Sequence, residues 1–277
     1  MSDNKVPLAG VIGSPIAHSK SPQIHTHWLK TYDIKGHYVP LEVDTEDLAQ
    51  VLKMMPKMGF VGANVTIPHK ERVLSLADQI TDRATLIGAA NTLIFKSDGK
   101  IHADNTDGYG FITNLRQSKP DWDPKRGPAA VLGAGGAARA VITALLEAGV
   151  PEILISNRTK VRAEALRADF GKRLIVVDWV QAGNMFEESA TVVNTTSLGM
   201  IGNPPLRVPL DGLRAGSLVT DLVYAPLKTH LLAQAEKKGC MIVDGLGMLL
   251  HQAVPGFERW FGVRPEVDSA TRTAALR

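Results

Sequence analysis

Few folds accommodate Gly133-Ala134-Gly135-Gly136-Ala137-Ala138 where it stands in this sequence, directly after a short apolar strand pattern and at the start of an alanine-rich helical pattern that stops at Gly149. The string satisfies G-x-G-x-x-(G/A) in the strand-to-helix context that gives the motif its meaning. Gly133 permits a tight turn, Gly135 lets backbone approach a pyrophosphate, and the small Ala138 lets the helix pack on its sheet. The helix N-terminus then offers free N–H groups and a positive dipole end to the anion. A bare glycine turn is the bland alternative. Flanking strand, helix and βαβ length favour a dinucleotide cradle formed by Gly133, Ala134, Gly135, Gly136 and Ala137.

The end of the next strand selects the dinucleotide. NAD enzymes usually carry Asp or Glu there to accept a bond from the ribose 2′-hydroxyl. Here the segment reads Asn157-Arg158-Thr159-Lys160-Val161-Arg162, without a carboxylate. Guanidinium groups present several fixed donors to phosphate oxygens, so Arg158 and Arg162, with Asn157 and Thr159 between and beside them, point to NADP. A solvated helix start is the competing reading of the two arginines.

At ~150 residues per domain, the chain's 277 residues lean towards two domains. With 44% hydrophobic and 21% charged residues, it has the composition of a folded globular protein rather than a disordered one. A net charge of +3, with bases scattered among nearly as many acids, lacks the basic stripe of a nucleic-acid binder. The single cysteine, Cys240, cannot form an intrachain disulfide or a thiolate metal cluster, and reads as a buried thiol. Residues 1–7 show no secretory pattern, and no apolar run approaches the ~20 residues needed to cross a bilayer. A cytoplasmic location is expected.

Two blocks of alternating strand and helix patterns meet near residues 105–128. In the first, residues 8–12, 37–41, 62–65 and 92–95 read as strands, and 22–32, 46–55 and 69–78 as helices. Ser97-Asp98-Gly99 suggests a hairpin turn. In the second, residues 129–132, 153–156, 174–177, 191–194, 217–222 and 241–243 are short apolar runs of the kind buried in a parallel sheet. Residues 249–261 form an amphipathic helical pattern. The fold class is α/β.

Three segments of the first block are too polar for a core. Ser19 and Ser21 lie where a strand meets a helix and offer hydroxyl donors to an anion such as a carboxylate, with capping by Ser21 as the bland alternative. Asn64-Val65-Thr66-Ile67-Pro68-His69-Lys70 also joins strand to helix; it puts Lys70 in a first helical turn, where the dipole disfavours positive charge. Asn91 and Asn105-Thr106-Asp107-Gly108 follow, the latter at the junction of the blocks, where Asp107 taken in isolation reads first as a turn residue before Gly108. His18, His25, His69 and His251 share no ligand spacing, so packing or hydrogen bonding is expected of them rather than a metal.

Together these segments resemble the shikimate dehydrogenase family. The resemblance runs through residues 13–22, 64–70, 88–92, 105–108, 133–139, 157–159, 194–199, 224–226 and 244–252, in family order along nearly the whole chain. It implies a two-domain protein with an N-terminal α/β substrate domain (residues 1–106) completed by C-terminal helices (245–277), a Rossmann-like NADP domain (107–244), and an active site in the cleft between them. It implies NADPH-dependent reduction of 3-dehydroshikimate to shikimate in chorismate and aromatic amino acid biosynthesis. Carried over by motif position, Ser19, Ser21 and Tyr224 would bind the substrate carboxylate, and Thr66, Asn91 and Gln252 the ring hydroxyls. Lys70 and Asp107 would form the catalytic pair. Thr195, Ser197, Leu222 and Gly245 would lie along the ribose and nicotinamide of the cofactor. The implied partner is a small molecule, with no nucleic acid or membrane; a homodimer is compatible with the resemblance.

Two departures stand out. Many relatives have His-Asn where this chain has His25-Thr26, and His69 occupies a place often apolar in relatives; local packing is the expected consequence of both. Rival readings are a family member that prefers quinate or NAD, a non-catalytic NADP sensor on the same scaffold, and a tetrahydrofolate-linked dehydrogenase of similar architecture. The first would show an altered serine pair or an acid within residues 157–162, and the second a lost Lys70 or Asp107. Neither change is present.

Overall fold

The computed structural model describes residues 6–277. Residues 1–5, part of the segment read above as free of a secretory pattern, lie outside them. The chain divides into two compact units, one running to Thr106 and resuming at Leu250–Arg277, the other spanning Asp107–Leu249.

The first unit is built from β1 (Leu8–Gly13), α1 (Ser21–Thr31), β2 (His37–Glu42), α2 (Leu48–Met54), β3 (Phe60–Val65), β4 (Gln79–Ile80), α3 (Asp82–Ile87), β5 (Thr92–Phe95) and β6 (Ile101–Asp104). Its strands form one sheet in the order β2-β1-β3-β5-β6-β4. β1 runs parallel to β2 and β3, whereas β5 is antiparallel to β3 and β6, so the sheet is mixed. The β5–β6 hairpin closes at the expected Ser97-Asp98-Gly99 turn, where Lys96 N–H donates to Lys100 O at 2.9 Å and Gly99 takes φ of +83°. Ile12, Leu48, Leu52, Val65, Val73 and Leu93 are among the side chains of its core.

The second unit holds α4 (Asp107–Ser118), β7 (Ala129–Leu132), α5 (Gly136–Ala148), β8 (Ile153–Ser156), α6 (Lys160–Phe170), β9 (Leu174–Val177), α7 (Met185–Glu188), β10 (Thr191–Asn194), β11 (Leu218–Asp221), α8 (His230–Lys237) and β12 (Met241–Val243). All six strands are parallel, in the order β12-β11-β10-β7-β8-β9. This is the doubly wound dinucleotide-binding arrangement. The chain order reverses between β7 and β10, the point at which sheets of this kind bind their ligands, beyond the carboxyl ends of the strands. β7, β8, β10 and β11 are buried at every position, as strands covered on both faces must be. Cys240 is buried in this unit, its thiol donating to Arg214 O at 3.3 Å.

α9 (Leu246–Phe261) begins in the second unit and ends in the first, followed by α10 (Ser269–Leu276). Within the first unit these helices pack on the sheet. Trp260 Nε1 donates to Leu93 O at 2.9 Å, and a Cβ on Gly62 would collide with the Trp260 ring. Trp28 Nε1 of α1 donates to Thr271 Oγ1 of α10 at 3.2 Å. Among the described residues no helix is long and apolar enough to cross a membrane.

The structure corrects two expectations near the site. Residues 69–78 are not an α-helix but a turn followed by a 3-10 helix, Arg72–Leu76. An α-helix would use the Lys70 carbonyl to bind Leu74 N–H. That carbonyl instead accepts from Ala90 N at 2.8 Å, and Leu74 N donates to Glu71 O at 3.2 Å. The helix-dipole reading of Lys70 therefore lapses. Asp107 is not a loop residue but the first residue of α4. Gly108 and Gly110 weakened the helical signal there; Gly108 is small because a Cβ would lie 3.2 Å from both Ala140 O and the Ala144 Cβ of α5.

Candidate functional site

In the second unit the glycine turn follows β7 as its motif requires. Gly133 adopts φ of +106° and donates its N–H to Ser156 O at 2.8 Å. A Cβ there would fall 2.6 Å from Thr195 Oγ1 and 2.9 Å from Thr196 Cγ2. Gly135 caps α5 without a side-chain hydrogen bond, and a Cβ on Gly135 or Gly136 would meet no atom within 4 Å. The backbone at the start of α5 is thus open to close approach, and a helix N-terminus there suits a pyrophosphate. Gly133→Ala is expected to cost about 1–3 kcal/mol from backbone conformation alone, read as a lower denaturant midpoint; a change within error would show that the turn relaxes freely.

β8 delivers Asn157, Arg158 and Thr159. Asn157 Nδ2 donates to Thr159 O at 2.8 Å, shaping the turn into α6. The first turn of α6 contains no acid. Lys160 is committed to Asp178 at 2.8 Å, but Arg158 and Arg162 are exposed and make no ion pair among the described residues. Two guanidinium groups beside the second strand, with no carboxylate to oppose them, fit a 2′-phosphate and disfavour a bare ribose hydroxyl bound through an acid.

The exits of β10 and β11 complete this unit's site. Thr195 lies at the strand-order reversal, where its N–H and its hydroxyl both donate to Leu132 O, at 2.9 and 2.7 Å. Leu222 N–H donates to Asn194 O at 3.0 Å, and a Cβ on Gly245 would collide with the Leu222 carbonyl, so the β11 exit and the entry to α9 are in close contact. Ser197 sits in the same loop as Thr195, its carbonyl accepting from Met200 N at 3.2 Å. Tyr224 is half-buried, and burial raises its phenol above the usual range. Sequence reading assigned no role to Asn194 or Asp221, the buried polar ends of these strands. Their signal was a polar residue closing each of two otherwise apolar runs, TVVN and LVTD. Burial pushes the Asp221 carboxyl up to about 6, against the hydrogen bonds it accepts.

In the first unit, Ser19, Thr66, Lys70 and Asn91 sit on segments laced together at one end of the sheet. Ser14 N–H donates to Ile67 O at 3.1 Å and Thr66 N–H to Ile12 O at 2.9 Å, tying the exits of β1 and β3. The Lys70–Ala90 backbone bond ties the second of these to the entry of β5. Ser21 is not the cap of α1 but its first residue; its N–H donates to Ser19 Oγ at 3.3 Å. Asn91 Nδ2 donates to Gln252 Oε1 at 3.1 Å, joining two residues 161 positions apart. The Asn91 carbonyl oxygen accepts from Thr92 Oγ1 at 3.0 Å, Thr106 N at 2.8 Å and Thr106 Oγ1 at 3.1 Å, which fixes the orientation of the amide. Asp107 is buried at the start of α4, in the other unit.

Behind this set lies buried polar scaffolding that the sequence did not reveal. Tyr38 OH donates to Asn64 Oδ1 at 2.7 Å, and Asn64 Nδ2 to Asn91 O at 3.1 Å. His69 Nε2 donates to Val43 O at 2.7 Å, joining the loop before Lys70 to the exit of β2; its polarity is therefore used. Asp104 is fully buried and accepts from Arg83, Thr81 and Arg259. Burial favours its neutral form, but these bonds prevail and hold the carboxyl at about 2. The described residues contain no group of three or more His, Cys, Asp or Glu able to hold a metal ion.

Three family models match the chain: the shikimate dehydrogenase substrate binding domain at residues 11–93, shikimate / quinate 5-dehydrogenase at 116–200, and the shikimate 5'-dehydrogenase C-terminal domain at 245–274. A Cereibacter sphaeroides protein named shikimate dehydrogenase (NADP(+)) is 70% identical over 272 residues, covering 98% of both chains. A quinate dehydrogenase from Corynebacterium glutamicum, solved with NAD, superposes with a TM-score of 0.91 at 31% identity, covering 99% of each chain. The shikimate 5-dehydrogenase of Thermus thermophilus, solved with NADP(H) and shikimate, gives a TM-score of 0.87 at 36% identity, covering 98% of each.

Proposed function

This chain belongs to the shikimate dehydrogenase family, and from that we propose that it catalyses the reversible NADPH-dependent reduction of 3-dehydroshikimate to shikimate, a step of aromatic amino acid biosynthesis. The observation that carries the reading is identity of 70% over 98% of the chain with a relative named for that reaction and cofactor. The exposed arginine pair after β8 supports the cofactor half independently, because it lacks the acid that an NAD site uses.

Bound NADPH supplies a hydride to the carbonyl carbon. What the protein must add is orientation and a proton at the carbonyl oxygen, where negative charge develops. We assign the proton transfer to Lys70 and Asp107 as a catalytic pair at the reacting oxygen. How a proton is shared between two such coupled groups belongs to the pair rather than to either residue. Ser19, Ser21 and Tyr224 hydrogen-bond the substrate carboxylate through their hydroxyls. Thr66, Asn91 and Gln252 take the ring hydroxyls; the fixed amide of Asn91 makes that recognition directional. On the cofactor, residues 133–137 and the first turn of α5 hold the pyrophosphate. Arg158 and Arg162, with Asn157 and Thr159, hold the 2′-phosphate, and Thr195, Ser197, Leu222 and Gly245 line the ribose and nicotinamide. The reading includes a cytoplasmic enzyme with a small-molecule substrate and no nucleic-acid partner, and it accommodates a homodimer.

Quinate carries one more hydroxyl on the carbon bearing the carboxylate, so it demands a differently bonded serine pair. Steady-state assays with shikimate and quinate, each with NADP and NAD, test the proposal. Shikimate with NADP is expected to give the highest kcat/KM. Arg158→Ala is expected to raise KM for NADP about 10- to 100-fold, the loss of one charge-assisted contact, with KM for NAD nearly unchanged. A preference for NAD in the unmodified protein would overturn the cofactor assignment.

A further inference from the structure

β10 and β11 lie side by side and end in buried polar residues, Asn194 at 0% and Asp221 at 1% exposure. Asp221 Oδ1 accepts from Asn194 Nδ2 at 2.9 Å and from Val223 N at 3.0 Å, and Oδ2 accepts from Thr229 Oγ1, which caps α8, at 2.7 Å. Asn194 passes the connection on. Its Oδ1 accepts from Thr196 N at 3.1 Å and Thr196 Oγ1 at 2.7 Å, and its Nδ2 also donates to Leu198 O at 3.3 Å. The Thr196 hydroxyl oxygen in turn accepts from Leu198 N at 3.1 Å. One carboxylate therefore sits at the root of two loops.

Two further facts bear on what it does there. A cavity of about 210 Å³ lies beside Asp221 and Thr229, with Leu198, Gly199 and Asn203 on its wall. The loop after β10 thus borders an open pocket on that side, and the hydrogen bonds through Asn194 and Thr196 are contacts that hold it. The carboxylate also has no ion-pair partner among the described residues. A buried unpaired charge is a poor device for stability, and apolar replacements of such groups are often neutral or better. A carboxylate is instead suited to organising donors, because both oxygens only accept.

We infer that Asp221 is a positioning residue for the ligand-facing loops of the second unit: through Val223, and through Asn194 and Thr196, it holds residues 222–224 and 195–198 in the shapes that bind NADP and substrate. The inference rests on the assignment of Thr195, Ser197, Leu222 and Tyr224 made above. It goes beyond that assignment by naming a group that need touch neither ligand.

The test compares Asp221→Ala with Asp221→Asn. The amide can still accept from Asn194 and Val223 while its NH₂ turns to Thr229. For the folded alanine variant, the NADPH dissociation constant, measured by fluorescence titration, is expected to rise about 10-fold or more, with kcat falling as well; the asparagine variant recovers most of both. An alanine variant that melts earlier yet binds NADPH and turns over like the unmodified protein would overturn the inference, because a purely structural role predicts that split. Should the alanine variant not fold, native hydrogen exchange on the unmodified protein decides. The amides of Thr196, Leu198 and Val223 are expected to open with one free energy and to slow together when NADPH is added; independent opening would overturn the inference. Failure of the unmodified protein to bind NADPH would instead sink the functional reading itself, so the two failures are distinct.

Discussion

Lys70→Ala is expected to lower kcat for shikimate oxidation by about 10²- to 10⁴-fold, the range over which a positioned proton-transfer group contributes, while leaving the unfolding midpoint close to that of the unmodified protein. One structural contact of residue 70 is made by its backbone. Its carbonyl accepts from Ala90 N at 2.8 Å and keeps the turn off an α-helical path, and alanine preserves that bond. The side chain is only half-buried, so its loss opens no core cavity. Lys70→Arg is expected to restore little, since a guanidinium does not release its proton at working pH and has a different shape. Kinetics paired with thermal unfolding monitored by circular dichroism check both halves. Undiminished turnover in a folded Lys70→Ala protein would remove the lysine from the chemistry and leave the family assignment standing on its other residues.

The legibility of this chain followed the physics that writes each element. The second sheet was readable because strands buried on both faces are continuous apolar runs, and every such run became a strand at nearly the expected limits. The glycine turn was readable because backbone conformation and close approach to Thr195 leave no other residue at Gly133. What escaped was decided by contacts distant in sequence. The helix expected at residues 69–78 fails because Ala90 takes the Lys70 carbonyl, a partner invisible in the local pattern. α4 escaped because Gly108, at its second position, serves packing against α5 rather than chain flexibility. Asp221 and Asn194 gave only single polar letters at strand ends. Their importance comes from adjacency of β10 and β11, separated in the chain by a long irregular stretch. The Asn91–Gln252 bond likewise needs the C-terminal helix folded back on the first sheet before either residue gains its partner.

Acid is expected to destabilise the first unit well before its carboxylates titrate, and the cause is His25. Its ring is fully buried, stacked on Tyr38 with centroids 3.9 Å apart and planes 2° from parallel, and set within 6 Å of the rings of Trp28, Phe257 and Trp260. Neither ring nitrogen makes a well-formed hydrogen bond, and burial, opposed by the nearby Asn64 side chain, drives its pKa down from 6.5 to about 3. The folded state therefore binds its proton less readily than the unfolded chain. The stability this confers is present above pH 6.5 and is lost as pH falls from there towards 3, at about 1.4 kcal/mol per pH unit. His251, lowered by burial to about 4, acts in the same direction in the same unit. Asp104 joins only below pH 4, since its depressed carboxyl stabilises the fold until it is protonated near 2. Asp221, raised to about 6 and located in the second unit, has the opposite sign: its contribution is present at low pH and lost as pH rises through 6. Urea unfolding at pH 8 and pH 5 should therefore show a loss of about 2 kcal/mol attributable to His25 alone. His25→Phe keeps a flat ring in the stack and removes the titration, so its stability should fall less between the two pH values by that amount. An equal fall in both proteins would mean that the imidazole reaches a proton acceptor or water in the folded state, and that the buried stack does not hold it neutral.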